Sequence, residues 1–181
     1  YDDVMNKQRE VMYAERMKVI KSENVHEDIL KLIPDFVQYV VGTVIDNENK
    51  PETWDIEALN RTIELKLLPK DSEFVTKERT ENWDYEYFIK KLTEETINVY
   101  EEKIARYKEE DDVNFYEIER MVLLKNIDSK WIDHIDSMDQ LKKGISLRGY
   151  GNVDPVVEYK KEGFEMFEDL TASIQDDTVT L

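Results

Sequence analysis

The chain has two histidines, His26 and His134, and the second lies in the run "WIDHID", which gathers Asp133, His134 and Asp136. A metal centre on a helix needs ligands at i and i+3 or i+4, usually with more than one imidazole. Asp133 and Asp136 meet that spacing, but His134 projects away from them and His26 is remote in sequence. The run therefore reads as a solvated acidic face with His134 at a packing edge, and no metal site is expected. A second candidate is "GYGNVD", inside "KKGISLRGYGNVDP" (Lys142 to Pro155). It gives G-x-G-x-x-D, not G-x-G-x-x-G, and it follows a helical pattern where a dinucleotide site requires a strand. Neither G-x-x-x-x-G-K-[ST] nor G-x-S-x-G occurs, so the sequence holds no P-loop and no nucleophile elbow. There is no cysteine, which rules out a disulfide framework, a thiolate metal site and a cysteine nucleophile. No catalytic, cofactor-binding or metal-ligating residue is assigned.

Three of the five glycines, Gly144, Gly149 and Gly151, fall in that one 142–155 stretch. Glycine supplies the positive φ of a tight turn, which accounts for the glycines but not for "LRGY". Leu147, Arg148 and Tyr150 place an apolar group, a cation and an amphipathic ring at the apex, flanked by Gly149 and Gly151. Tyr and Arg are favoured contact residues at interfaces. The stretch is either an interaction tip or a locally tucked turn.

The flanking segments must present it. Ile118, Met121, Leu124, Ile127, Trp131, Ile135, Met138, Leu141 and Ile145 step by three or four, which predicts one amphipathic helix of about 27 steps, roughly 40 Å. Asp154-Pro155 reads as an N-cap followed by the first helical position. Phe164, Phe167, Leu170 or Thr171, and Ile174 then form a second stripe. Two such helices joined by a short loop predict an antiparallel hairpin.

Upstream, Met5, Met12 and Val19 repeat at seven within a helix from Tyr1 to Lys21. A second helix is expected from about Val25 to Ile45, with a kink or break near Ile33 because of Pro34. "DNENKPET" reads as a loop. "WDIEALNRTIELKLL" reads as a short helix ended by Pro69, and "KDSEFVTKERTEN" as a charged connector. A long helix follows from about Trp83 to Lys108, with Phe88, Leu92, Glu95, Val99 and Tyr107 on one face beside Ile89 and Ile104. No segment alternates like a strand, so the expected class is all-α.

The chain has 181 residues, enough for one domain or two small ones. Its net charge is −17. Residues 1–22 carry five basic and four acidic side chains, residues 23–112 carry 12 and 24, and residues 113–181 carry 8 and 14. Phosphate recognition needs a basic face, so no nucleic-acid partner is expected. No apolar run reaches the roughly 18 residues of a membrane span. The first residues, "YDDVMNKQRE", are already helix-like, lack an initiator methionine and show no signal peptide. The chain reads as a piece of a longer one.

"YDDVMNKQRE", "LLKNIDSKWIDHIDSMDQLKKGISLRGYGNVDP" (Leu123 to Pro155) and "EYKKEGFEMF" (Glu158 to Phe167) closely resemble the SecA family, the ATP-driven motor subunits of preprotein translocases. "ETWDIEAL" (Glu52 to Leu59) resembles the family's wing, and the rest of the middle is diverged. The resemblance implies a long scaffold helix end at residues 1–22, a helical wing at 23–112 and a scaffold two-helix finger at 113–181, with its tip at about 144–154. It implies that Tyr150 occupies the family's functional tip position, with Leu147, Arg148, Gly149 and Gly151 around it contacting polypeptide or channel. It further implies that the partners are the SecY channel, an unfolded preprotein and motor domains elsewhere in the parent. ATP and Mg would be bound in those domains and not in this chain, which would itself be no enzyme. The expected location is cytoplasmic, peripheral on the inner face of the plasma membrane. Two other readings stand beside this one. The first is a structural or regulatory scaffold with an internally packed tip. The second is a nucleotide-dependent enzyme, which isothermal titration with ATP would reveal.

Overall fold

The structure, a computed structural model, describes residues 1–111, 115–147 and 154–180. Among these residues it contains seven α-helices and no strand, so the chain is all-α. They are α1 (Asp2–Lys21), α2 (Val25–Val41), α3 (Ile56–Lys66), α4 (Lys77–Thr80), α5 (Tyr85–Asp111), α6 (Phe115–Leu147) and α7 (Pro155–Val179). None is long and apolar enough to cross a membrane. The chain divides into two compact units, Tyr1–Val25 with Tyr116–Thr178, and His26–Phe115 with Val179–Leu181.

The 26–115 unit is built on α2, α3 and α5. Helix α2 continues through Pro34, so of the kink or break expected near Ile33 the break does not occur. A helical proline costs about 3 kcal/mol through its lost N–H and its steric clash. Ile29, Ile33, Phe36, Val37, Val40 and Val41 are all buried, and each contributes about 1.5–3 kcal/mol, so burial outweighs the proline. The helix stops at Val41, and the N–H of Gly42 bonds the Gln38 carbonyl at 2.8 Å. Asp55 caps α3, accepting the Ala58 N–H at 3.1 Å.

The segment expected to be a charged connector contributes core. Phe74 and Val75 are buried. Asn60 of α3 clasps Val75, its Nδ2 donating to the Val75 carbonyl at 2.8 Å and its Oδ1 accepting the Val75 N–H at 2.9 Å. Phe74, Trp54 and Trp83 surround Phe88, with ring centroids 6.1, 5.0 and 6.5 Å from it. The buried face of α5 is Phe88, Ile89, Leu92, Thr96, Tyr100 and Ile104. That corrects the predicted phase: Glu95 and Tyr107 are exposed and Val99 is half-buried.

The other unit is a three-helix assembly of α1, α6 and α7. Contacts ascend α6 as they descend α7. Asn126 Nδ2 donates to Thr178 Oγ1 at 3.1 Å, and Lys130 pairs with Asp177 at 3.0 Å. The His134 and Phe167 rings are 5.6 Å apart, and Met138 faces Gly163. The expected antiparallel pairing of these two helices is therefore present. Helix α1 runs antiparallel to α6. Arg16 binds both carboxylate oxygens of Asp128, at 2.8 and 3.3 Å. Arg120 donates to the carbonyls of Val19, Ile20 and Ser22. These are end-of-helix carbonyls with no intrahelical partner, and a guanidinium supplies the donors.

Candidate functional site

Helix α6 has 33 residues, about 50 Å at 1.5 Å per residue, and carries the predicted tip at its C-terminal end. Its buried face is Glu119, Leu123, Ile127, Trp131, His134, Met138 and Ile145. Ile127, Trp131, Met138 and Ile145 match the predicted stripe. Met121 and Ile135 do not, being exposed. On α7, Leu170 and Ile174 are buried as predicted. Phe164 is 61% exposed, and Tyr159, which the stripe missed, is 2% exposed.

The core of the hairpin ends at Met138, Ile145 and Tyr159, backed by Tyr1, Val4, Met5, Leu141 and Met166. Beyond it every described residue is exposed or nearly so. Ser146 and Leu147 on α6, and Asp154, Pro155, Val156 and Val157 on α7, are all exposed. Leu147, the one predicted contact residue that is described, is 81% exposed. Arg148, Gly149, Tyr150 and Gly151 lie outside the described residues. The predicted start of α7 holds: Asp154 Oδ1 accepts the Val156 N–H at 3.0 Å and Pro155 is the first helical residue.

Gly144 is no turn residue. It lies within α6 without positive φ, and a Cβ built on it meets nothing within 4 Å. Gly144→Ala should therefore raise stability by about 0.5–1 kcal/mol, the ordinary helical cost of glycine, read as a shift of the urea midpoint at unchanged slope.

The "WIDHID" run separates in space. Asp133 and Asp136 are exposed. His134 is buried, not at a packing edge as predicted from sequence, and burial pushes its imidazole below its ordinary value. Its Nε2 lies 2.7 Å from Gln8 Oε1. Gln8 Nε2 in turn donates to the Gly163 carbonyl at 3.1 Å. Because the Gly163 carbonyl demands a donor, the Gln8 amide has one orientation, and Oε1 faces His134. The imidazole therefore carries its proton on Nε2. One side chain from each of α1 and α6, and one backbone group of α7, meet at this point. Gly163 leaves room for the Met138 side chain, since a Cβ there would lie 2.7 Å from Met138 Cε. The sequence reading missed Gln8 and Gly163. Gln8 sits one turn from Met5 and Met12, which was the available signal.

Among the described residues no three His, Cys, Asp or Glu side chains gather as metal ligands. The motif "GYGNVD" follows α6, a helix, where a dinucleotide-binding motif would follow a strand. Among the described residues, what the hairpin offers is exposed segments on both sides of the predicted tip, on helices braced by α1.

A family model described as the SecA Wing and Scaffold domain matches residues 1–181. The chain is 42% identical over 181 residues to the protein translocase subunit SecA of Acetivibrio thermocellus. It is 44% identical over 182 residues to that of Finegoldia magna and 42% identical over 183 residues to that of Pelotomaculum thermopropionicum. The alignments cover 99–100% of this chain and 19–20% of each relative. The chain thus spans about one fifth of the length of the curated relatives it matches. An all-α chain with this hairpin, matched from its first residue to its last, belongs to the SecA Wing and Scaffold domain family.

Proposed function

We propose that this chain is the part of a protein-export motor that carries force to the moving polypeptide. Residues 1–22 are the end of the long scaffold helix, 23–112 the wing, and 113–181 the two-helix finger. The tip at about 144–154 presents Tyr150, with Leu147, Arg148, Gly149 and Gly151 around it, to an unfolded preprotein at the SecY channel. ATP and Mg belong to motor domains elsewhere in the parent, and the assembly works peripherally on the inner face of the plasma membrane.

The observation that carries this reading is the exposure of the described residues that flank the tip, beyond Ile145 and Tyr159. Leu147, Val156 and Val157 are apolar, flank 148–153 and are 81%, 38% and 58% exposed. A tyrosine ring face accepts almost any extended polypeptide, which suits clients of varied sequence. The braced hairpin behind it supplies stiffness.

The test is Tyr150→Ser in the full-length parent. Preprotein transport should fall roughly tenfold or more, as for a contact hot spot, while the unfolding midpoint stays within about 0.5 kcal/mol of wild type, as for an exposed site. A loss of stability with a parallel loss of transport would instead mean that the tip packs internally and the hairpin is scaffold.

A further inference from the structure

Two of the half-buried lysines lie beside a carboxylate. Lys91 lies 3.6 Å from Glu94 and Lys130 lies 3.0 Å from Asp177. Lys103 on α5 is also half-buried, yet among the described residues no carboxylate comes within ion-pair distance of it. Its charged neighbour is Arg106, a like charge one turn along the helix. Lys103 lines a pocket of about 180 Å³ in the 26–115 unit, together with Leu65, Leu67, Leu68, Val99 and a second lysine, Lys66. An ammonium beside apolar walls and a guanidinium is better placed as a neutral group.

We propose that Lys103 is a lysine acylation site, taking a short acyl group from an acyl phosphate, with the acyl chain lodged in this pocket. The deprotonated Nζ attacks the acyl carbon, the amide C–N bond forms, and the acyl C–O bond to phosphate breaks. Inorganic phosphate leaves with the electron pair, and the amine proton goes to solvent. No redox partner is needed. Burial, and to a lesser degree Arg106, lowers the pKa of the amine below its ordinary value, which enlarges the reactive fraction at neutral pH. The product amide carries no charge, so the repulsion from Arg106 disappears.

The intact chain is incubated with acetyl phosphate at neutral pH, natively and in concentrated urea, and acetylation is quantified at each lysine by peptide mass spectrometry. Natively, Lys103 should react at least about twofold faster than exposed Lys50 and Lys70, because its lowered pKa leaves more of the amine neutral. In urea the rates should converge. Arg106→Gln should slow Lys103 and leave Lys50 and Lys70 unchanged. Native acetylation of Lys103 at or below the rate of the exposed lysines would overturn the proposal. So would a ratio that persists in urea, because the advantage would then come from local sequence and not from the fold.

Discussion

Phe88→Ala should lower the unfolding free energy by about 3–5 kcal/mol, the range for deleting a core phenyl ring. Phe88 is fully buried. Its ring is the hub on which Trp54, Phe74 and Trp83 converge, with centroids between 5.0 and 6.5 Å. Removing it leaves a cavity walled by rings that are themselves anchored. Trp54 Nε1 donates to the Asn49 carbonyl at 3.2 Å, and the Phe74 segment is held by the Asn60 clasp. Such walls collapse poorly, so the cost belongs at the upper end of the range. The neighbouring Tyr87→Ala removes a ring that is 42% exposed and should cost under about 1 kcal/mol. Urea unfolding followed by tryptophan fluorescence reads both. Near-equal effects would mean that the aromatic cluster is not the organising centre of the unit.

Gln8→Leu should cost about 2 kcal/mol and change the pH dependence of stability. Leucine has nearly the same volume but neither bonds His134 nor donates to Gly163. It leaves a buried imidazole N–H unpaired, a loss of about 1–3 kcal/mol. The pH effect in the wild type follows from burial, which holds the folded imidazole below its ordinary 6.5. Between the two values the unfolded chain binds more protons than the folded one, so stability rises with pH. Stability is therefore complete above about 6.5 and declines as pH falls through the window down to the folded value. In His134→Phe that decline should vanish, because the new ring packs between Trp131 and Phe167 and has nothing to titrate. Urea midpoints across this window measure it. A decline that survives in His134→Phe would assign the slope to another group.

Much of the hairpin was legible in the sequence because its signals are local. Asp154 and Pro155 mark the start of α7 by chemistry that acts over two residues. The phase of α6 was harder to read. That helix carries apolar residues on several sides, including exposed Met121, Ile132 and Ile135, so a three-and-four count can be drawn along more than one face. His134 was placed only at a packing edge because a lone polar residue in an acidic run gives no local sign of burial. Its burial depends on Gln8, 126 residues away, and Gln8 depends in turn on Gly163, 155 residues away. No window along the chain contains that pairing. Pro34 shows the converse, a strong local signal overridden by six buried neighbours on α2. The charge of "KDSEFVTKERTEN" likewise concealed Phe74 and Val75, whose burial is set by Asn60 and the Phe88 cluster.

Family membership and the exposed flanks of the hairpin tip together make the tip contact the central claim, and a cross-link tests it most directly. Tyr150→Cys is placed in a full-length parent cleared of other reactive cysteines, with ATP, channel-containing membranes and a stalled preprotein carrying cysteines. Asp133→Cys, on the exposed side of α6, serves as the mid-helix control. The account predicts disulfides from position 150 to the preprotein or the channel mouth, and none from position 133. A position 150 that forms no such cross-link in a motor still competent for transport would contradict it, and would leave the tip a turn between two helices.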